Sequence, residues 1–295
     1  MSKSWRLIPY TVHDAADNMA IDEAILDAHL SGQSPPTLRL YGWKPPAVSI
    51  GYGQKLSAPV EERIRSHGFD IVRRATGGRA VLHSHELTYS FIGSATSGGS
   101  DEDAFLSESV VKAYKQICEG LIQAFQELGL ELSLGASSAE YRNAHDCFLA
   151  TTSADLHYQG KKMIGSAQLR RKTAVLQHGS ILLDQPQDLM RTLLRDSASK
   201  FADGGEVSDA TKFSVDAERT DSSLSESEEN MNQRHANLYE ILRERVAINR
   251  LQECMRVGFE TAFQHPLVEG GLTDHEKTLA AQHRIKYQQP LGLKT

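Results

Sequence analysis

The most informative stretch of the sequence is Arg73–His83, which reads RRATGGRAVLH. It places three arginines, two adjacent glycines and a histidine within eleven positions. Glycine has no Cβ, so the backbone there can approach a ligand closely, and arginine supplies a fixed positive charge. The stretch therefore predicts a ligand-binding loop, although a plain tight turn would explain the double glycine equally well.

Two later segments carry the side chains with the most chemistry. Gly160–Gln168 reads GKKMIGSAQ, so Lys162 lies just before a run of small residues. Cys147 follows His145 and Asp146 and lies outside any helical apolar pattern. A thiolate is a strong nucleophile, and a nearby ammonium group favours the thiolate. Together with the arginine–glycine stretch, these segments predict an acyl-transfer site.

Several motifs in a fixed order point to one family. They are Asn18–Ala24 (NMAIDEA), Leu38–Trp43 (LRLYGW), Arg73–His83, Cys147-Phe148, Gly165–Ala167 and Gln177–Leu183 (QHGSILL). With these motifs the chain resembles the biotin/lipoate protein ligase superfamily, and within it the cysteine-dependent octanoyltransferases that act from acyl carrier protein. The resemblance covers roughly residues 5–190, with a weaker match near the C-terminus. It implies an α+β fold with a central mixed β-sheet flanked by helices.

The resemblance also implies an activity. An octanoyl group would pass from octanoyl-acyl carrier protein to Cys147, and then to a lysine of a lipoyl domain or of the glycine cleavage H protein. Lys162 would move protons in both halves, and no cofactor is implied. The chain departs from the family pattern after Phe148, where the family has an acidic residue followed by Ala-Pro-Ser and this chain has Leu149–Ser153.

A further set of residues is expected to line the acyl-binding tunnel and its mouth. These residues are Arg73, Arg74, Gly77, Gly78, Arg79, His83, Gly165, Ser166, Ala167, His178 and Gly179. A structural role is favoured for His178, whereas for His83 a structural and a proton-transfer role are equally supported. Asn18, Asp22 and Glu23 are expected to pack and cap at one end of the site.

Three other functions remain open at this point. An amidotransferase that moves the acyl group between lipoylated proteins would use the same cysteine. An ATP-dependent lipoate ligase would use Lys162 to bind an acyl adenylate, and Arg79 argues against it because such ligases often have a third glycine there. A non-catalytic binding protein would retain the fold without turnover.

Composition restricts the class of protein. The chain has 295 residues, 40% of them hydrophobic, and a net charge of −6. Nine acidic and two basic residues lie within 202–232, so the rest of the chain is nearly neutral and no nucleic-acid partner is expected. No apolar run reaches the roughly 20 residues that span a bilayer. No signal-peptide pattern is seen, so we expect a cytoplasmic protein without a membrane partner.

The three cysteines differ in their surroundings. Cys118 and Cys254 lie in helical apolar patterns, which predicts that both are buried core residues. The spacing of the cysteines fits neither a disulfide framework nor a metal site.

The pattern along the chain predicts a single domain over 1–295 with a flexible acidic insertion at 198–236. Periodicity predicts helices over Asp17–Leu30, Pro59–Ser66, Ser107–Leu128, Gln187–Leu194 and Asn237–Phe263. Strands are expected over Thr37–Tyr41, Ala47–Tyr52, Phe69–Arg73, Glu86–Ile92, Ala154–Tyr158, Lys162–Ala167 and Ala174–Leu183. The turn Gln159-Gly160 is expected to join two of these strands in a hairpin.

Overall fold

The computed structural model describes residues 4–95, 104–135, 155–184, 187–194 and 235–291. Within these ranges the strands are β1 (Trp5–His13), β2 (Thr37–Trp43), β3 (Ala47–Ile50), β4 (Asp70–Arg73), β5 (Val81–His83), β6 (Glu86–Ala95), β7 (Ala104–Leu106), β8 (Leu132–Leu134), β9 (Leu156–Tyr158), β10 (Lys161–Arg171), β11 (Ala174–Leu182) and β12 (Leu267–Glu269). The helices are α1 (Ala15–Leu30), α2 (Ala58–Ser66), α3 (Val110–Gln126), α4 (Gln187–Leu194), α5 (Leu238–Leu242), α6 (Ile248–Phe263) and α7 (Asp274–Tyr287).

The described strands form two sheets. Nine of them make a mixed sheet in the order β12–β1–β2–β6–β11–β10–β9–β8, with β7 paired to β6. Strand β1 is parallel to both of its neighbours, and the strands from β2 to β8 along this order pair antiparallel. The other three strands form a small sheet in the order β4–β3–β5.

Helices cover both faces of the large sheet. Helices α3 and α6 pack on the face that carries Tyr89 and Phe91, where the largest hydrophobic core lies. Helices α1 and α7 pack on the opposite face, where Ile92 contacts apolar residues of α1. Successive residues of β6 thus point into different cores, as the alternation of a strand requires. The expected α+β fold with a central mixed sheet is confirmed.

The two helices of the larger core approach each other closely at Gly258. A Cβ atom at this position would lie 2.3 Å from the backbone nitrogen of Ala124 and 2.5 Å from the carbonyl oxygen of Gly120. Real carbon atoms cannot come so near, so a larger residue at Gly258 would force α3 and α6 apart. The glycine therefore sets the distance between these helices.

Helix α7 attaches to the body largely through ion pairs. Arg6 of β1 donates hydrogen bonds of 2.8 and 2.5 Å to the two oxygens of Glu276. At the other end of α7, Lys286 and Tyr287 donate to Glu23 of α1 at 2.9 and 2.7 Å. Glu23 thus joins two helices, which agrees with the packing role expected for it.

Several expectations about local structure are confirmed. Strands β9 and β10 form the expected hairpin, and Gln159 and Gly160 both have positive φ values, 49° and 80°. This combination fits the two-residue turn that best matches strand twist. Cys118 and Cys254 are buried, with exposed fractions of 0% and 8%.

Other expectations need correction. The pattern over Asn237–Phe263 predicts one continuous helix, but α5 ends at Leu242 and Arg243 adopts a left-handed φ of 60°. A second helix, α6, begins only at Ile248. The predicted acidic insertion lies outside the described residues up to position 234, and the assignment of 1–295 to one domain stays a prediction.

Candidate active site

A partly open cavity lies where the large sheet meets the small sheet. In β11, His178 and Ser180 point to the same face as Ser90 and Thr88 of the neighbouring β6, because these residues are paired in register. The small sheet closes over this face. The cavity is lined by Met19, Tyr41, Trp43, Ser49, Arg74, Val81, His83, Thr88, Gly165, Ser166, Ala167, His178, Gly179 and Ser180.

A buried carboxylate organises one wall of the cavity. Asp22 of α1 accepts hydrogen bonds from Arg39 at 2.7 Å, from Tyr41 and Ser90 at 2.8 Å each, and it lies 3.1 Å from Nδ1 of His178. Its exposed fraction is 1%. Burial opposes ionisation of Asp22, but Arg39 and His178 outweigh it and hold the pKa of this carboxyl below its ordinary value. Asp22 is therefore an anionic centre around which the wall is built.

His178 is held from both sides. Because the Asp22 carboxylate can only accept a hydrogen bond, Nδ1 of His178 carries a proton, and Nε2 accepts from the hydroxyl of Thr76 at 2.7 Å. Two partners fix the plane of the imidazole ring and its tautomer. This geometry supports the structural role favoured for His178, although the ring also lines the cavity.

Replacing Asp22 by asparagine tests this centre. We expect Asp22→Asn to lower the free energy of unfolding at pH 7 by about 3 kcal/mol, since Arg39 would remain buried without its carboxylate. The folded-state pKa of Asp22 is depressed, so its contribution is complete above the unfolded value of about 4 and is lost as the pH falls through the folded value. Urea unfolding of wild type and variant should therefore give a difference that shrinks as the solution is acidified below about pH 4.

A matched control for that measurement is Asp184→Asn. Asp184 pairs with Arg245 at 2.6 Å, but Arg245 is largely exposed, so the pair contributes less than about 1 kcal/mol. If the difference between Asp22→Asn and wild type stayed constant or grew in acid, the role assigned to the Asp22 carboxylate would be wrong.

His83 lies on the opposite side of the cavity. Its ring stacks on Trp43 with a centroid distance of 4.0 Å, and its Nε2 lies 2.8 Å from the Ser49 hydroxyl. Its Nδ1 is 3.4 Å from a Glu86 oxygen, which is long for a hydrogen bond. Burial lowers the pKa of His83 below its ordinary value even though Glu86 acts in the opposite direction. A neutral imidazole therefore faces the cavity at neutral pH.

The two arginines that open the arginine–glycine stretch shape the loop itself. Arg74 is buried and donates to the carbonyl oxygens of Ser49, Gly77 and Arg79 at 3.1, 2.8 and 2.7 Å. Arg73 donates to backbone oxygens of 51, 52 and 54 at 3.1, 3.0 and 2.5 Å. A guanidinium group has five N–H donors, so one side chain can hold several turns of backbone together.

Only some residues of the arginine–glycine stretch therefore line the cavity. Arg74 and His83 lie among the lining residues, whereas Arg73, Gly77, Gly78 and Arg79 lie outside that set. Arg73 is directed away because its guanidinium binds the adjacent backbone. The expectation that these four residues contact an acyl group stays a prediction.

Lys162 lies on β10, three residues before the cavity wall formed by Gly165, Ser166 and Ala167. Its exposed fraction is 1%, and its Nζ is 3.0 Å from an Asp155 oxygen. The neighbouring Lys161 is exposed, as expected for adjacent residues of a strand. Lys162 is thus a buried cation on the strand that also carries the lining residues Gly165, Ser166 and Ala167. Cys147 lies outside the described residues.

Sequence reasoning did not identify several residues of the site. Asp155 and the lining residues Met19, Tyr41, Trp43, Ser49, Val81, Thr88 and Ser180 were not among the predicted site residues. Met19, Tyr41, Trp43, Val81 and Ser180 lie within the motifs quoted above, and their place in those motifs was the available signal. Ser49, Thr88 and Asp155 lie in or beside ordinary strand segments and give no local signal.

The described residues are also informative about metal binding and membrane insertion. Among these residues, no three His, Cys, Asp or Glu side chains are grouped so that they could hold a metal ion. In the same ranges, every helix is too short or too polar to cross a membrane.

Comparison with known proteins identifies the family. The model of the lipoyl protein ligase A/B catalytic domain matches residues 14–260. The octanoyltransferase LipM of Kyrpidia tusciae is 35% identical over 97% of this chain and 96% of its own length. The LipM of Brevibacillus brevis is 36% identical over 95% of this chain and 94% of its own.

Solved structures of similar fold are lipoate ligases. A lipoate-protein ligase A bound with ATP has a TM-score of 0.71 and 21% identity, covering 96% of this chain and 95% of that one. A bipartite lipoate protein ligase from Thermoplasma acidophilum has a TM-score of 0.71 and 22% identity, covering 97% and 93%. At this identity the likeness concerns the fold alone. The sequence relatives are octanoyltransferases, so this chain is an acyltransferase, and it belongs to the lipoyl protein ligase A/B catalytic-domain family.

Proposed function

We propose that this enzyme transfers an octanoyl group in lipoate biosynthesis, from acyl carrier protein through a thioester on Cys147 to a lysine of a lipoyl domain or H protein. The observation that carries the proposal is the buried Lys162 on β10, the strand that also carries the lining residues Gly165, Ser166 and Ala167. A buried lysine changes its protonation state more readily than an exposed one and can serve as a proton-transfer group. The names of the sequence relatives supply the octanoyl group.

The cavity suits the acyl chain. Apolar surface from Met19, Tyr41, Trp43, Val81 and Ala167 lines it, as is usual in small-molecule sites. An aliphatic chain gains free energy from leaving water for such a lining. The polar groups of the wall are largely hydrogen-bonded to protein, as in the Asp22–His178 pair. We therefore assign this cavity to the octanoyl chain.

The cysteines favour Cys147 as the nucleophile. Burial raises the pKa of the Cys118 thiol, and it also raises that of Cys254. Cys118 lies on α3 and Cys254 on α6, and both side chains pack in the largest hydrophobic core. A thiol that resists ionisation is a poor nucleophile. Cys147, which has polar neighbours in the sequence, is the candidate that remains.

The proposed reaction has two balanced halves. The Lys162 ammonium favours the thiolate form of Cys147, and this thiolate attacks the carrier thioester. As the tetrahedral intermediate collapses, the carrier sulfur leaves and takes a proton from the Lys162 ammonium. In the second half the acceptor amine attacks the Cys147 thioester and loses a proton to Lys162. The cysteine sulfur then leaves as a thiolate, and the proton from the acceptor amine stays on Lys162, so the starting thiolate and ammonium are restored.

A comparison of acyl donors tests the proposal. A lipoyl-domain acceptor would be incubated with one donor at a time: octanoyl-acyl carrier protein, octanoylated H protein, or octanoate with ATP. We expect octanoyl-lysine on the acceptor from the carrier thioester without ATP, measured by intact mass. Transfer only from the amide-linked donor would establish an amidotransferase instead. Transfer only with octanoate and ATP would establish a ligase.

A further inference from the structure

The Lys162 side chain is paired with a carboxylate in a nearly dry setting. Its Nζ lies 3.0 Å from an oxygen of Asp155, and the two side chains are 1% and 2% exposed. Asp155 directly precedes β9, and the β9–β10 hairpin places His157 opposite Lys162. Asp155 lies two residues before His157, so it reaches Lys162 as a diagonal neighbour and not from the position directly opposite. The pair is thus built by local structure.

The backbones of both partners are held in place. The amide of Gly135 donates to the carbonyl oxygen of Asp155 at 2.8 Å, and the amide of Ala236 donates to that of Lys162 at 3.0 Å. These bonds come from the ends of two other segments of the chain. Side-chain positions that rest on such a fixed backbone vary little, which is what a proton-transfer group requires.

Other titratable groups surround the pair. His157 on β9 has a lowered pKa, caused by burial and the Lys162 charge against the opposing effect of Asp155. Tyr114 and Cys118 on α3 have raised pKa values, caused by burial and, in part, by the Asp155 charge. His235 pairs with Lys162 through a backbone bridge. Burial thus keeps the His157 ring, the Tyr114 phenol and the Cys118 thiol neutral near neutral pH.

We infer that Asp155 is a positioning residue that sets the protonation state and the place of Lys162 during acyl transfer. The inference rests on the proposed function, in which Lys162 moves protons. A lysine buried away from water tends to lose its proton, and an adjacent carboxylate favours the charged form. Asp155 therefore maintains the ammonium group that protonates the leaving carrier thiolate. Once Lys162 is neutral, the same carboxylate favours its taking a proton from the acceptor amine.

Asp155→Asn separates charge from shape. We expect the rate of acyl loading onto Cys147 at pH 8 to fall by about 10²-fold, because less Lys162 is present as ammonium. The basic limb of the loading rate against pH should move to lower pH by about one unit or more. The KM for the carrier substrate should change little, since Asp155 contacts Lys162 and lies outside the cavity lining. If Asp155 had only a structural role, its replacement would not shift the basic limb of the loading rate against pH.

Asp155→Glu tests whether a carboxylate at this position is enough to keep the pH profile. It retains the charge but lengthens the side chain, so we expect a wild-type pH profile with a reduced rate. If Asp155→Asn does not fold, as judged by its melting curve, the glutamate variant decides. A basic limb shifted to lower pH in that variant, although it retains the carboxylate, would refute the inference. Asp184→Asn, in an exposed ion pair, is the matched control and should behave as wild type.

Thioester formation on Cys147 and the role of Asp155 can be tested separately. If wild type forms no thioester on Cys147, the proposed function fails, whatever Asp155 does. If wild type forms the thioester and a folded Asp155→Asn loads it with the same rate and pH profile, the inference about Asp155 fails and the proposed function stands.

Discussion

Cys147→Ala is expected to lower octanoyl transfer by a factor of roughly 10⁴ or more, the scale on which enzymes lose activity when their covalent nucleophile is removed. Without the sulfur no thioester can form, and the acceptor amine would have to attack the carrier thioester directly. The loss should appear in kcat rather than in KM, because Cys147 is proposed to form the thioester and the cavity to bind the acyl chain. Rates would be followed by the appearance of octanoyl-lysine on the acceptor protein.

Cys254→Ala is the matched control for that experiment. Cys254 is 8% exposed and packs with the core beneath α6, so the substitution removes a thiol without touching the cavity. We expect this variant to transfer the octanoyl group at close to the wild-type rate. Substantial transfer by Cys147→Ala, with folding intact, would remove the cysteine from the mechanism and favour an ATP-dependent reaction.

Lys162→Met is expected to slow both half-reactions by about 10³-fold, a typical value for the loss of a general acid and base. The carrier thiolate would leave without a proton donor, and the acceptor amine would have no partner to take its proton. Loading and transfer can be measured separately, by quenching the acyl-enzyme with acid and by adding acceptor to preformed acyl-enzyme.

Lys162→Arg separates proton transfer from charge. Arginine preserves the positive charge beside Asp155 but does not release its proton in proteins, so this variant should fold well and still fail in both halves. Lys161→Met is the matched control, since Lys161 is exposed on the same strand. An arginine variant with near wild-type rates would show that Lys162 acts by charge alone.

Local patterns in the sequence predicted much of the fold. The hairpin at Gln159-Gly160 could be identified because two strand patterns are separated there by only two residues, one of them glycine. Helix α3 was predicted over Ser107–Leu128 and extends over Val110–Gln126, because its apolar side recurs at helical spacing and its N-cap serine is recognisable. The burial of Cys118 followed from that periodicity.

Elements held by polar contacts were harder to predict. Helix α7 carries few apolar residues and binds α1 through ion pairs, such as Arg284 with Asp14 at 2.7 Å. Its apolar pattern is therefore weak, although Thr273 and Glu276 form a readable capping box. Strand β1 contains Pro9 near an irregularity in its register, and proline within a strand pattern argues against a strand.

The candidate site was predictable only in part, for a similar reason. Motifs identified the segments around Arg74, Lys162 and His178, because glycines and charged residues cluster there. The contacts that give these residues their properties join distant positions, as in the pairing of Asp22 with His178 across 156 residues. No local pattern encodes such a pair, because the sheet and α1 must assemble before the two side chains meet.

The most direct test is whether Cys147 receives the octanoyl group as a thioester. The purified enzyme would be mixed with octanoyl-acyl carrier protein, without ATP and without acceptor, and its intact mass and peptide map recorded. The account predicts one octanoyl group per chain on Cys147, removed by hydroxylamine as a thioester is. No adduct, or an adduct that maps to another residue and resists hydroxylamine, would contradict it.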